Sequence, residues 1–273
     1  MYKLLFLLIV SITSAQNYRF VYEYKMKPDL SKKDSVVTDY MNLDTDGKKS
    51  YFYNAVKYER DSAYAASKSY KDLLTAKSYD QNLSYMVEKD YREKTMNFYD
   101  KFKTVSLRIA ETEMPKWNIE KDDAEINGIH CQKATSVYKG RTWEAWFSKD
   151  YAVSDGPYKF TGLPGLVVKI RDLEDQHVFN LIQIKKINSV FPFLPKSPKK
   201  VTFAEYKKAM ANFFFTIQDI EGINVNKQDE KMDIQLKDGF ILKVGTGELK
   251  KMKNMDEEIA RRLKRSNNLI ERQ

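Results

Sequence analysis

The chain has 273 residues, with 47 Lys and Arg against 38 Asp and Glu, a net charge of +9, 13% aromatic residues and a single cysteine. This length is enough to bury a sizeable core in one or two domains, which excludes a small scaffold held together by disulfides or metals. The aromatic content excludes intrinsic disorder, and the presence of only 10 Gly and 7 Pro excludes collagen-like and low-complexity chains. The sequence therefore predicts a globular protein.

The N-terminus has the three parts of a secretory signal peptide. Lys3 supplies a positive charge, residues 4–10 are apolar, and Thr13-Ser14-Ala15 ends in the small residues that signal peptidase accepts. The apolar run is much shorter than the roughly 20 residues that span a membrane. We therefore expect cleavage near Ala15, export to the periplasm or the outside of the cell, and a mature chain without a transmembrane span.

The positive charge does not identify a partner. Lysines are spread along the chain, apart from clusters at Lys196–Lys200 and between Lys250 and Arg265. Dispersed charge of this kind is typical of a solvated surface, and an exported protein rarely meets DNA or RNA. Nucleic acid is therefore not a predicted partner.

Alternation of apolar and polar residues predicts many β-strands. In the first strand every second residue is aromatic or Met: Tyr18, Phe20, Tyr22, Tyr24 and Met26. Further predicted strands are 34–43, 50–57, 83–89, 94–102, 105–111, 117–120, 129–138, 142–147, 162–171, 177–187, 232–236 and 240–244. Turn signals between several of them, such as Lys139-Gly140, predict hairpins.

Two helices are predicted near the C-terminus. Thr202 and Glu205 form a capping box ahead of apolar residues at helical spacing up to Ile217. The second helix runs from about Met255 to Ile270, with acidic residues in its first turn and basic residues later. The segment from Glu59 to Ser78 fits either a short helix or an extended loop.

These elements predict a single β-rich domain over residues 16–273, after the signal peptide at 1–15. No internal repeat or change of composition marks a domain boundary. The predicted fold class is mainly β (α+β), as a large curved antiparallel sheet or an open, barrel-like meander with two or three helices. Roughly a dozen strands are too many for a flat sheet. We expect the helix that begins near Thr202 to cover part of the concave side.

No catalytic residue, cofactor or metal site is predicted. His130 and Cys131 are adjacent on a predicted strand and would point to opposite faces, while His177 is far away in the sequence. The chain lacks a zinc-ligand cluster, a nucleophile elbow and a phosphate-binding glycine loop. Cys131 cannot form an internal disulfide and is expected to be packed in the core. The sequence leaves the roles of these three residues open.

The most unusual segment runs from Arg141 to Ile170, where aromatic residues crowd together with Gly and Pro. Such glycines indicate special backbone geometry or close approach of two segments. The segment is either a loop folded under the sheet, which the residues favour, or the rim of a ligand pocket. Its candidate ligand or signature positions are Arg141, Trp143, Trp146, Asp155, Gly156, Pro157, Phe160, Gly162, Leu163, Pro164, Gly165 and Leu166.

The run Gly162-Leu163-Pro164-Gly165-Leu166-Val167 resembles the signature of the GLPGLI family of exported Bacteroidetes proteins, with Val167 in place of the final Ile. Neighbouring segments also resemble that family: Cys131–Ala134, Gly140-Arg141, Ala145–Phe147 and Asp155–Phe160. The resemblance implies an exported protein with no assigned reaction. The resemblance therefore marks these residues as positions that define the family, and it does not assign them to an active site.

Three functions remain open at this point. The sequence favours a non-enzymatic envelope protein that binds or carries an apolar or extended ligand, because aromatic residues are abundant and catalytic clusters are lacking. The first alternative is a structural or protein-interaction component of the cell envelope, suggested by the Lys-rich segments. The second is a hydrolase that uses Cys131 or carboxylates. The sequence identifies neither the ligand nor the oligomeric state.

Overall fold

The computed structural model describes residues 17–28, 35–56, 58, 83, 85–102, 105–190, 194–211, 220–226, 231–236, 241–245, 268 and 270–272. The first eight strands are β1 (Tyr18–Met26), β2 (Val37–Thr45), β3 (Lys49–Asn54), β4 (Met86–Asp90), β5 (Thr95–Phe102), β6 (Val105–Glu111), β7 (Asn118–Ile126) and β8 (Ile129–Tyr138). The others are β9 (Arg141–Ser148), β10 (Leu166–Asp172), β11 (His177–Lys186), β12 (Lys199–Lys200), β13 (Ile220–Asn226), β14 (Lys231–Leu236) and β15 (Ile241–Gly245).

Twelve strands form one sheet, in the order β12-β6-β5-β4-β3-β2-β1-β11-β10-β9-β8-β7. Its neighbours are antiparallel except for the two-residue β12, which runs parallel to β6. Different strands lie at the two edges, so the sheet is not closed into a barrel. Strands β13, β14 and β15 form a separate three-stranded antiparallel sheet. The prediction of a mainly β protein built on a large antiparallel sheet is confirmed.

Chain connectivity requires the large sheet to be strongly curved. Residues 112–117 alone connect β6, next to one edge, with β7 at the other, and such a link spans at most about 25 Å. Ten strand spacings of about 4.8 Å would separate the same two strands in a flat sheet by roughly 48 Å. Lys139, at the turn between β8 and β9, accordingly lies 2.9 Å from Glu111 of β6.

One complete helix, α1 (Phe203–Ala211), lies within the described ranges. The predicted capping box is present, since the Glu205 backbone N–H donates to Thr202 Oγ1 and the Thr202 N–H donates to Glu205 Oε2. Almost all of the second predicted helix, residues 212–217 and all of residues 59–78 lie outside the described residues. The prediction of two or three helices is therefore unsupported. No helix in the described part is long and apolar enough to cross a membrane.

The core lies on the inward face of the large sheet. Phe20, Tyr22 and Tyr24 of β1 are buried on this face, as their alternation predicts. The segment between β9 and β10 folds over it and inserts Phe160, whose ring centroid lies 4.5 Å from that of Trp143. We call residues 155–167 the signature loop; it includes the run Gly162–Val167 and the first residues of β10.

Two glycines allow the signature loop to lie this close to the sheet. A Cβ atom on Gly165 would stand 2.1 Å from the carbonyl oxygen of Ser148, and one on Gly156 would stand 2.7 Å from the Cβ atom of Val167. Backbone cannot yield to such an overlap as a flexible side chain can. The close approach predicted from these glycines is thus present.

We expect Gly165→Ala to lower the free energy of unfolding by about 2–4 kcal/mol, because the added methyl group overlaps the backbone of Ser148. Equilibrium denaturation with urea measures this. Gly222→Ala is the matched control, because nothing lies within 4 Å of its Cβ position. A variant at Gly165 as stable as the control would contradict the packing described for the loop.

Candidate functional site

The predicted candidate positions are mostly packed inside the protein. Trp143, Phe160, Leu163 and Leu166 belong to the hydrophobic core. The remaining buried ones are Arg141, Asp155, Gly156, Pro157 and Gly165, whereas Trp146 is half-buried, and Gly162 and Pro164 are exposed. The structure therefore brings them together as one side of the core, on β9 and the signature loop.

Asp155 is the centre of a buried polar cluster. Its side-chain oxygens accept hydrogen bonds from Ser50 Oγ at 2.5 Å, Lys89 Nζ at 2.5 Å, Tyr91 Oη at 2.6 Å and the Gly156 N–H at 2.8 Å. Lys89 also donates to the carbonyl oxygen of Gly156. Burial lowers the pKa of Lys89, and the Asp155 carboxylate opposes this shift. The cluster ties the signature loop to β3, β4 and the turn after β4.

Arg141, at the start of β9, forms a second buried cluster. Its guanidinium donates to Asp172 Oδ2 at 2.7 Å and to Gln176 Oε1 at 2.9 Å, both near the β10–β11 turn. It also donates to Asn268 Oδ1 at 2.5 Å and to the carbonyl oxygen of Ile270 at 3.1 Å. Arg141 thereby joins a hairpin of the sheet to residues near the C-terminus.

Lys159 forms a third cluster with two carboxylates. Its Nζ atom lies 2.8 Å from Glu111 Oε2 and 2.6 Å from Glu271 Oε1. It also lies 5.1 Å from the ring centroid of Phe98 and 5.4 Å from that of Tyr158, within the range of cation–π attraction. Burial raises the pKa of Glu111, but Lys159 and Lys139 outweigh it and hold that pKa below its usual 4.5.

Four described residues near the C-terminus lie against these clusters, and we call Asn268 and Ile270–Arg272 the C-terminal segment. Asn268 donates to the carbonyl oxygen of Lys27, and the Arg272 N–H donates to that of Lys139. Tyr158 donates its hydroxyl proton to Glu271. The segment is therefore held by side chains and backbone of the region that contains the candidate positions.

Two buried polar atoms, one on Tyr85 and one on Glu271, have no hydrogen-bond partner in the part of the chain that the structure describes. These atoms are the Tyr85 hydroxyl oxygen and Glu271 Oε2. Tyr85 is only 8% exposed and Glu271 only 3% exposed. The Tyr85 ring centroid lies 5.1 Å from that of Phe98 and 5.4 Å from that of Tyr158. We call Tyr85, Phe98, Tyr158, Tyr206 and Glu271 the Tyr85–Glu271 cluster.

The electrostatic surroundings of this cluster keep its tyrosines protonated. Burial raises the pKa of Tyr85 well above its usual 10, and nearby Tyr24, Asp39, Tyr206 and Glu271 raise it further. Tyr206 of α1 donates to Asp100 Oδ2 at 2.7 Å, and its ring lies 5.5 Å from that of Phe98. The tyrosines can therefore donate hydrogen bonds at any physiological pH, and they do not act as bases.

The cysteine and histidines are not arranged for catalysis. Burial raises the pKa of the Cys131 thiol to about 11, so the reactive thiolate is scarce at neutral pH. His177 is buried with its Nδ1 atom 2.6 Å from the Tyr24 hydroxyl, and His130 is exposed. In the part of the chain that the structure describes, no group of three or more His, Cys, Asp or Glu side chains could hold a metal ion.

The sequence did not identify Lys89, Lys159, Tyr85 or Glu271 as site residues. Lysines normally lie at the surface, and Glu271 lies in the polar sequence at the C-terminus. The sequence did contain one indication that Lys89 is buried. Lys89 lies two residues after Val87 in a predicted strand, so the two side chains point to the same, inward face. The contacts between Lys159, Glu111 and Glu271 join distant parts of the chain and leave no local pattern.

Comparison with known proteins gives a partial match to a family of unknown function and a similar fold. Residues 74–169 match Porph_ging, a family described as a protein of unknown function. This range includes the signature run but covers well under half of the chain. No curated protein matches the chain.

Two structures of PNGF-II, in the P21 and C2 space groups, are similar to this protein. Each has a TM-score of 0.53 and 14% sequence identity over 81% of this chain and 40% of the PNGF-II chain. At this identity the similarity shows the fold alone. The chain spans less than half the length of the solved chains that it matches.

We expect Asp155→Asn to lower the free energy of unfolding by about 3–5 kcal/mol, because it leaves the buried Lys89 ammonium without a counter-charge. Ser50→Ala removes one of several hydrogen-bond donors to Asp155 and should lower the free energy of unfolding by about 1–2 kcal/mol. Glu174→Gln, which removes an exposed ion pair with Arg272, should cost less than about 0.5 kcal/mol. Chemical denaturation measures all three. Equal losses for the first two variants would contradict a central role for the ion pair.

The Glu111 pair should make stability depend on pH at the acid end. A carboxyl whose pKa is lower in the folded than in the unfolded state contributes stability that is complete above its unfolded pKa and lost as pH falls through its folded pKa. We expect the free energy of unfolding to decline less on acidification below about pH 4.5 in Glu111→Gln than in the wild type, because the pKa of Glu111 is lowered in the folded protein. Urea denaturation between pH 7 and 3 measures it. Glu113→Gln, which alters a more exposed partner of Lys139, should keep the wild-type slope.

Proposed function

We propose that the protein is a non-enzymatic binding or carrier protein of the cell envelope, exported after cleavage near Ala15. The signal-peptide pattern and the lack of a spanning helix in the described residues support this location. We further propose that it is a GLPGLI protein. The signature run supports this membership and lies inside the range that matches a family of unknown function.

One observation supports binding above the other functions. The Tyr85 hydroxyl and Glu271 Oε2 are buried among aromatic rings and have no hydrogen-bond partner in the described protein. Burying a polar group without a partner costs about 1–3 kcal/mol, so each such atom calls for an explanation. A few converging polar groups between apolar walls are typical of small-molecule sites. The ligand therefore has an apolar body and a hydrogen-bonding group.

The buried charge clusters support structure and not turnover. Ser50 and Lys89 carry groups that could act as nucleophile and base, but both donate to Asp155, which is 1% exposed. A catalytic nucleophile needs a base that accepts its proton and a position next to substrate. Cys131 remains protonated at neutral pH, as described above. The hydrolase hypothesis gains no support from these groups.

A second candidate function is binding of a protein partner through an extended segment. The contacts of Arg141, Tyr158 and Lys159 with the C-terminal segment support this candidate, because they hold a peptide segment of the chain itself. A partner that uses the same contacts would have to displace residues 268–272. A carrier of small molecules needs no such displacement, and this difference separates the two candidates.

Native mass spectrometry of the full chain, purified from the envelope fraction of its producing cells, tests the proposal. We expect a bound small molecule that is lost in Tyr85→Phe and retained in Tyr40→Phe, where the tyrosine is 45% exposed. Tyr85→Phe should be at least as stable as the wild type, because it removes an unpartnered hydroxyl. Loss of ligand therefore cannot be attributed to unfolding.

Two outcomes would contradict the small-molecule proposal. The first is a folded wild-type protein that is free of ligand in every preparation. The second is reproducible crosslinking to one protein partner, with the C-terminal segment released, which would favour the second candidate. Limited proteolysis at the C-terminus in the presence of the partner would detect that release.

A further inference from the structure

The residues that hold the C-terminal segment come from three parts of the fold. Lys27 follows β1, Lys139 and Arg141 lie at the β8–β9 turn, and Tyr158 and Lys159 belong to the signature loop. The register of β1 with β11 and of β9 with β10 places the first three at the same end of the large sheet. We call these five residues the docking site.

The docking site selects an amide at the first described position of the segment. Asn268 accepts a hydrogen bond from Arg141 through Oδ1 and donates one to the carbonyl oxygen of Lys27 through Nδ2. An aspartate could only accept hydrogen bonds here, and a lysine could only donate them. Asn268 is buried, so either missing contact would be costly.

The next described positions are selected by polarity and charge. The side chain of Ile270 is partly buried against the hydrophobic core. Glu271 Oε1 lies 2.6 Å from Lys159 Nζ and accepts a hydrogen bond from the Tyr158 hydroxyl. The docking site therefore selects an amide, an apolar residue two positions later and a carboxylate directly after that residue.

Departure of the segment would leave the cations of the docking site with counter-charges. Arg141 would keep Asp172, whose Oδ2 atom lies 2.7 Å from its guanidinium, and Lys159 would keep Glu111 at 2.8 Å. A buried cation that keeps a carboxylate avoids the large cost of an unpaired buried charge. The segment can therefore leave the docking site without breaking the ion pairs that belong to the rest of the fold.

Every copy of the chain carries both the docking site and the segment that fits it. A segment from a second copy would make the same contacts as the chain's own segment, which is the exchange of identical elements known as domain swapping. The chain's own segment is favoured because its binding is intramolecular. Exchange should therefore increase with protein concentration and with any change that weakens the chain's own segment.

We infer that the docking site binds the C-terminal segment of a second copy of this chain, through the Asn268 amide, the Ile270 side chain and the Glu271 carboxylate. This inference goes beyond small-molecule binding. It rests on the second candidate function, binding of a protein partner through an extended segment, and it names that partner.

A fluorescent peptide of residues 266–273 tests the docking site on the full chain. The peptide competes with the chain's own segment, which Glu271→Gln weakens by removing the charge next to Lys159. We expect the peptide to bind this variant about tenfold more tightly than the wild type, the effect of losing a hydrogen bond to a charged group. Asn268→Ala weakens the segment at a different contact and should give a gain in the same direction. Fluorescence anisotropy measures binding.

Two controls accompany the peptide experiment. Glu125→Gln changes an exposed glutamate of β7 and should bind the peptide as the wild type does. A peptide with Gln in place of its own glutamate should bind Glu271→Gln about tenfold more weakly than the unaltered peptide.

A mixture of two full-chain variants tests exchange between copies. Glu271→Gln has an intact docking site and a weakened segment, whereas Tyr158→Phe has an intact segment and a docking site that lacks one donor. We expect the mixture to form more dimer than either variant alone, because only the mixture offers an intact segment to a docking site that its own segment holds weakly. Sedimentation velocity measures the dimer.

The outcomes separate this inference from the second candidate function. Peptide binding without dimer formation in the mixture overturns the inference but leaves a different protein as the partner. Failure of the peptide to bind any variant overturns both. Equal binding of the unaltered and altered peptides also overturns both, because it shows that the Glu271 position is not recognised.

Discussion

The ion pair between Lys89 and Asp155 determines where the signature loop lies. Its partners are 66 residues apart in sequence and both are buried, so separating them would leave two charges in an apolar interior. Such a separation costs several kcal/mol, and the carboxylate has further donors in Ser50 and Tyr91. With Asp155 held in place, the chain that follows brings Phe160 and Leu163 into the core and Lys159 to Glu111. The loop therefore has one position against the sheet.

Three buried cations in the described part of the chain each attach different segments to one another. Lys89 holds the signature loop, Arg141 holds the β10–β11 turn with the C-terminal segment, and Lys159 holds β6 with that segment. Each cation has its own carboxylate, so each attachment is satisfied locally. Because each of these cations is paired with at least one carboxylate, the pairs add nothing to the positive net charge of the chain.

The sequence predicted most of the strands from local alternation, and β1 shows this with Phe20, Tyr22 and Tyr24 on one face. Strands β12 and β13 and most of β7 were not predicted. It predicted the start of α1 because a capping box is a local motif, confirmed by the Thr202–Glu205 contacts. The order of strands was not predictable, because the pairing of Tyr18 with Lys186 joins distant segments. For the same reason the sequence did not predict the Tyr85–Glu271 cluster, whose members lie just before β4, on β5, in the signature loop, on α1 and in the C-terminal segment.

The central position of β1 has a consequence for how the chain folds. The runs β1–β6 and β7–β11 each consist of strands that pair with their neighbours in sequence, and the pairs joined by short turns, such as β8 and β9, form early. Pairing of β1 with β11 must instead close a loop that contains most of the strands, so it is slow. Until then both strands expose unpaired backbone groups along their length. Aggregation of the folding chain should therefore begin at this central seam and not at the edges, where β7 and β12 are charged.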